Sequence, residues 1–354
     1  MSLRKVMRVL GPGRKDGRNL TFEEAHDAFS AILSGNESEI QIAAFLVLMR
    51  MKGVTVQELT AFARAARAKA TIPGQDMAGL VSLCPPHDGM ERFPPLDVAA
   101  GLIAAGAGVR VLLFTDRCVP PKRGLTAASV LHGLGVGLTW DPHEAEDWAG
   151  KTGFGAIAVS GMLPALMSLR RVRAEVAMRT PLSTVEKLLA PSSSPVVLGA
   201  MGGPVLGTAA EVMQALGHPR GIVLQGPEGG VIPGVVKRTR GIELCERYLV
   251  PLNVEPEDFG LALGEEPELP LFCPSQDDQG TADNAELVRI TGVMTEQLLA
   301  GEVNGGRNAA ILGAALILKA SGRALTLAEG VDAAAHSLDT GAAREVLGRL
   351  RELV

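Results

Sequence analysis

Aromatic side chains are scarce, with nine Phe, two Trp and one Tyr making 3% of the chain. A core so poor in large rings has to be filled by Ala, Val, Leu and Gly, which suits helices packed closely on a sheet. Cysteine is also sparse. Cys84, Cys118, Cys245 and Cys273 are widely spaced, so they form neither a disulfide framework nor a zinc pattern, and no metal site is expected. Reduced thiols and a cytoplasmic location are the expectation. No apolar run reaches the ~20 residues that span a bilayer, and there is no secretory signal, so no membrane partner is expected. Net positive charge is missing as well. At a formal charge of −5 the whole molecule is no electrostatic binder of nucleic acid, and any polyanion contact must come from local patches. Finally, no nucleophile stands at a diagnostic spacing from a base, so no residue is assigned as catalytic.

What the sequence does contain is organised around residues 81–136. An apolar entry at 80–83 runs into a loop with Pro85, Pro86, Asp88 and Gly89. An Ala-rich helical pattern follows at 96–107, then a short apolar run at 109–114 with the look of a central parallel strand. The run ends at Thr115-Asp116-Arg117, and a second loop, Pro120-Pro121-Lys122-Arg123-Gly124, leads into another helical pattern. In an open α/β sheet such a unit puts both loops at the carboxyl ends of the strands, where ligands bind. Further short apolar runs at 155–159, 196–198 and 221–224 alternate with helical patterns and predict a mostly parallel sheet flanked by helices.

Ahead of this unit lie three short helices. Thr21 caps the first, which runs to Leu33; 37–51 forms a strongly apolar second; Thr55 and Glu58 form a capping box on the third. The residues before them, with Arg4, Lys5, Arg8, Arg14, Lys15 and Arg18 against Asp16, read as a solvated basic arm. Residues 255–280, rich in Pro and acids, read as a surface excursion. The three helices cannot form a full core alone and should dock on the larger domain, on a second copy, or both.

Three separated stretches carry a resemblance: LTFEEAHDAFSAILSG from residue 20, RRVRAEVAMRTPLSTVEKLLAP from residue 170 and NGGRNAAILGAALILKASG from residue 304. In order and spacing the chain resembles the anthranilate phosphoribosyltransferase family, within the superfamily of the nucleoside phosphorylases. The resemblance implies a small helical domain (1–75 and about 163–192) that makes a homodimer, and an α/β domain (76–162 and 193–354). It implies a phosphorylated sugar or other anion as partner.

The departures fall on the site. The family's phosphate loop, Gly-Thr-Gly-Gly-Asp-Gly, becomes Cys84-Pro85-Pro86-His87-Asp88-Gly89, and two prolines remove N–H donors. Its Phe-Asn-Ile-Ser-Thr becomes Phe93-Pro94-Pro95-Leu96-Asp97, and its Lys-His-Gly-Asn-Arg keeps only Arg117. Its Ser-Ser-Lys becomes Pro120-Pro121-Lys122. The magnesium-binding Asp-Glu pair falls on Val231-Ile232. The resemblance therefore leaves Asp88, Gly89, Arg117, Lys122, Arg123 and Gly124 as the anion site and Arg173 as the acceptor-binding residue. No cofactor is required, and magnesium would enter only with phosphoribosyl pyrophosphate. His87 and Glu228 are weak acid–base candidates, and His132 is a structural residue. Two functions follow. One is a glycosyl or phosphoribosyl transferase-like protein that does not act on anthranilate. The other is a non-catalytic protein of the same fold that binds single-stranded nucleic acid, as a divergent branch of the family is understood to do. For the second, Arg170, Arg171, Lys237, Arg238 and Arg240 would form a patch with Lys122 and Arg123, if these converge.

Overall fold

The computed structural model describes residues 3–10, 17–117, 119–270 and 285–354. Seven strands form one sheet in the order β3-β2-β1-β4-β5-β6-β7. They are β1 Leu80–Cys84, β2 Arg110–Thr115, β3 Phe154–Ala158, β4 Val196–Gly199, β5 Arg220–Leu224, β6 Thr239–Cys245 and β7 Tyr248–Val254. The first five are parallel. β6 joins β5 antiparallel and turns back as β7. This two-stranded extension is absent from the sequence reading. Its outer face is solvated and carries charges, so its apolar runs are interrupted.

Strand residues alternate between two cores, as the pleat requires. Val81, Leu83, Val111 and Leu113 face the helix α5 (Asp97–Gly106) and the C-terminal helices, chiefly Arg307–Ser321 and Ala342–Leu353. Leu80, Cys84, Leu112 and Phe114 face the helical lobe. That lobe consists of α1 (Leu3–Leu10), α2 (Phe22–Leu33), α3 (Glu39–Lys52) and α4 (Val56–Arg67). Capping boxes at Thr21/Glu24, Ser38/Gln41 and Thr55/Glu58 begin the last three. Phe29 stacks on Phe62 at 4.9 Å between ring centroids, and Phe45 meets Phe62 edge-on at 5.9 Å.

α1 corrects one expectation. Its Leu3, Val6 and Leu10 are buried in the lobe, so this part of the N-terminus is a docked amphipathic helix rather than a loose arm. Arg14, Lys15 and Asp16 lie outside the described residues, as do 271–284 of the excursion. Among the described residues no helix is long and apolar enough to cross a membrane.

Candidate functional site

The strands β1, β2, β4 and β5 all deliver their carboxyl ends to one edge, where the helical lobe leans over the sheet. The loop after β1 and the loop after β2 are laced together there. Met90 N–H donates to Leu125 O at 2.7 Å and Leu125 N–H to Met90 O at 2.8 Å. Gly89 has φ +78°, and a Cβ on it would stand 2.4 Å from the Gly124 carbonyl. Gly124 in turn donates its N–H to Asp88 O at 2.9 Å, and Gly89 closes a turn onto Pro86 O at 3.3 Å. These two glycines are therefore explained by loop-on-loop packing, and their N–H groups are spent inside the protein rather than offered to an anion.

The charged survivors of the motifs are likewise occupied. The Asp88 carboxylate is buried and accepts two hydrogen bonds from Arg179, at 2.6 and 2.8 Å. Arg179 comes from the segment that returns through the helical lobe, and its own carbonyl accepts from Arg50 of α3 at 2.9 Å. Arg173 is buried, donates to Pro120 O at 2.9 Å and forms a fork with Glu186. So Arg173 is neutralised where an acceptor-binding arginine would have to be open. Burial opposes the Glu186 charge, but Arg173 outweighs it, and the carboxyl lies below its ordinary range. His87 is buried beside this pair, with Nε2 3.2 Å from Phe114 O and Nδ1 3.7 Å from Glu186. Burial pulls its basicity down, although Glu186 and Asp116 pull the other way. Next to it, burial pulls the Lys187 ammonium down to about 8, and its Nζ donates to Gly199 O.

Arg117 is exposed, its guanidinium 5.6 Å above the Trp140 ring. Arg123 takes a left-handed conformation, φ +58°, at the tip of its loop. Arg170 binds Asp116 at 2.8 Å, and Arg171 binds Glu175 at 2.9 Å on the surface.

The most informative side chain is Glu228, in the tight turn after β5, itself at φ +52°. Its carboxylate accepts N–H donations from three successive residues: Glu91 at 3.1 Å, Arg92 at 2.8 Å and Phe93 at 3.2 Å. Lys122 closes the arrangement with an ion pair to Glu228, and also reaches Gly89 O at 3.3 Å. Consecutive backbone N–H groups and an ammonium are the parts of an anion cradle, and here the chain's own carboxylate fills it. Burial would raise the Glu228 carboxyl, but Lys122 and the N–H donors hold it below the ordinary range. An acid–base role does not suit so firmly held a group.

Val231 and Ile232 are buried apolar residues in this same turn. Among the described residues no three His, Cys, Asp or Glu side chains gather as metal ligands. The donor set at this edge does not fit magnesium, which needs several hard oxygen ligands.

Lys237, Arg238 and Arg240 are exposed and, with Gln225, line an open basin of about 340 Å³ where β5 ends and β6 begins. The convergence of the three clusters would need cations free to meet a polyanion. Lys122, Arg170 and Arg173 are paired with carboxylates, Arg171 pairs with Glu175 on the open surface, and the basin is lined by cations without such close partners.

Comparison with known proteins decides the family. A family model described as the glycosyl transferase family a/b domain matches residues 95–344, and the helical bundle domain of the same family matches residues 14–70. The anthranilate phosphoribosyltransferase of Bacillus mycoides (strain KBAB4) is 30% identical over 341 residues, 95% of this chain and 94% of that one. The chain belongs to the anthranilate phosphoribosyltransferase family. The Symbiobacterium thermophilum relative is 31% identical over 339 residues, again 95% of this chain and 94% of that one. The family member of Thermus thermophilus superposes with a TM-score of 0.81 at 26% identity, covering 99% of this chain and 98% of that one. The Saccharomyces cerevisiae member, solved with PRPP (phosphoribosyl pyrophosphate) and Mg, shares the fold at a TM-score of 0.78 and 14% identity, covering 99% and 97%.

Arg179, Glu186 and Lys187 line the cleft that holds His87 and Asp88, and the sequence reading passed them over. The visible signal was a Glu-Lys pair inside the apolar stretch 182–190, where two adjacent charges demand buried partners.

Proposed function

We propose that this chain is a transferase-like member of the family that does not transfer a phosphoribosyl group to anthranilate. The observation that carries the reading is Glu228 in its cradle of three N–H groups, closed by Lys122. Pyrophosphate would have to displace a carboxylate that is hydrogen-bonded and ion-paired in place. The prolines at 85 and 86 and the apolar pair Val231-Ile232 argue in the same direction, because they remove N–H donors and metal ligands. Phosphoribosyl transfer depends on positioning and on charge stabilisation around a cationic sugar. Arg173 and Arg179 are already balanced by Glu186 and Asp88, so neither is available for that work. The test is turnover of anthranilate with phosphoribosyl pyrophosphate and magnesium, together with growth of a tryptophan auxotroph lacking this enzyme. No product and no growth are expected; restored growth overturns the reading.

The exposed basin of Lys237, Arg238 and Arg240 favours a second reading, a cytoplasmic protein that holds a polyanion such as single-stranded nucleic acid. Its affinity should fall steeply with salt through counterion release. A fluorescence titration at two salt concentrations, with Lys237→Glu/Arg238→Glu alongside, tests it, and absence of binding at low salt rules it out.

We also propose that the chain pairs with a second copy through α3. Ile40 and Met51, large apolar side chains at its two ends, are 83% and 71% exposed, and a second copy would cover them. A monomer in sedimentation at micromolar concentration refutes it.

A further inference from the structure

The cleft between the helical lobe and the end of β4 holds an ammonium that no carboxylate balances. Lys187 is buried, and its Nζ donates to Gly199 O. With Arg50, Asp88 and Arg179 it lines an opening of about 80 Å³. Among the described residues no carboxylate stands within ion-pair distance of Lys187. Its neighbour Glu186 is committed to Arg173, and Asp88 is committed to Arg179. Two further carboxylates nearby, Glu228 and Asp116, are matched by Lys122 and Arg170. Burial pulls His87 toward its neutral form. Around the cleft Arg50, Arg173, Arg179 and Lys187 therefore face only Asp88 and Glu186. Surplus positive charge beside a buried ammonium is costly. Burial, with Arg179 next, pulls Lys187 down to about 8, which brings a free amine within reach near neutral pH.

We propose that Lys187 is a carbamylation site, at which its ε-amine takes up carbon dioxide. The nitrogen lone pair forms a bond to the carbon of CO2, one C–O π pair moves onto oxygen, and the nitrogen gives a proton to water. The product is Lys–NH–COO⁻. Charge, room and hydrogen bonding all select this reaction. Turning the ammonium into a carbamate leaves Arg50, Arg173 and Arg179 facing Asp88, Glu186 and the new anion, so the surplus disappears. The opening is several times the roughly 10–15 Å³ that one water needs, and it admits a molecule of three atoms. The carbamate nitrogen keeps one N–H for Gly199 O. Ser183 and Thr184 stand four and three residues before Lys187 on one helical turn, and with Arg50 they line the same cleft and offer donors to the new oxygens. The modification is independent of any transferase step and uses none of its substrates.

The experiment equilibrates the full chain with 13C-labelled bicarbonate at pH 8 and records the carbonyl region of its 13C spectrum. We expect a carbamate signal, separate from bicarbonate and dissolved CO2, that Lys187→Met removes. The α-amine at the N-terminus also reacts with CO2 and serves as the control, since its signal stays in the variant. A second arm alkylates the natural chain with triethyloxonium, which fixes a carbamate as its ester, and locates the ester by peptide mass spectrometry. At pH 8 the ester at Lys187 should exceed that at a lysine of ordinary basicity on the order of a hundred-fold, the ratio of their free amine. No carbamate signal, a spectrum unchanged in folded Lys187→Met, or ester spread evenly over the lysines would each overturn the proposal. Should Lys187→Met fail to fold, the trapping on the natural chain decides alone.

Discussion

The ligand-facing edge of the sheet and the basin beside it hold the same kinds of side chain and treat them oppositely. At the edge Arg173 faces Glu186, Arg179 faces Asp88, Lys122 faces Glu228 and Arg170 faces Asp116. In the basin Lys237 and Arg240 face solvent, and the contact of Arg238 with a carboxylate is a loose one, to Glu255 at 3.5 Å. A cation at this edge is therefore not open to an anion by its position alone. Its meaning depends on whether a carboxylate has arrived beside it, and for these four at the edge one has. Charges buried this way are held together by their partners, whereas those in the basin cost nothing to expose.

The contrast is broken most sharply at Glu186. Glu186→Gln leaves the buried Arg173 without its counter-charge, and a loss of about 3–5 kcal/mol is expected in urea denaturation. Replacing both, Arg173→Leu with Glu186→Leu, should recover much of that loss; a loss under about 1 kcal/mol for Glu186→Gln would show that the pair is not buried as described.

A buried group with no charged partner sharpens the same point. His218 sits behind β4 with Nδ1 3.0 Å from Ser194 O, and burial pulls it down from 6.5 to about 4. Its folded pKa is depressed, so the stability it allows is complete above pH 6.5 and is lost as pH falls toward 4. The loss should reach roughly 3 kcal/mol. His218→Asn should flatten that limb of the pH–stability curve, and an unchanged slope would assign the acid limb elsewhere.

Glu228→Ala should cost less, about 1–3 kcal/mol, the range of a charge-assisted hydrogen-bond set at a half-open site. It also empties the cradle. Inorganic pyrophosphate, without effect on the natural chain, should then raise the melting temperature of the variant, and a calorimetric scan reads both quantities. Equal insensitivity of the two proteins would mean that Glu228 is not what excludes the anion.

In the basin, Lys237→Glu/Arg238→Glu should leave stability within about 0.5 kcal/mol, as exposed charges do. Earlier elution from heparin should be the main consequence; unchanged elution would mean that the basin is not the anion-facing surface.

Much of the fold was legible because it is written in local pattern. The apolar runs at 80–83, 109–114, 155–159, 196–198 and 221–224 became β1 to β5, and Thr21 and Thr55 cap helices as their neighbours promised. The site was less legible, because its chemistry is made by pairs far apart in the chain. Arg179 lies 91 residues from Asp88, and Glu228 lies 106 from Lys122. The motif positions fall at one edge of the sheet, but a motif cannot show that Lys122 and Arg173 are paired with Glu228 and Glu186 there. β6 and β7 escaped notice because Arg240, Glu243 and Pro251 interrupt their apolar pattern, and pairing at an exposed sheet edge tolerates such residues.

The core on the lobe side of the sheet runs without a break from Phe29 and Phe62 to Leu80, Leu112 and Val196. The helical lobe is therefore not a detachable module with stability of its own. Its inner wall is the sheet, and the sheet's covering on that side is the lobe. Neither can open without exposing the other, so the deepest amides of α2 and α4 should exchange with solvent in the same rare event as those of β1 and β4, as members of one cooperative unit.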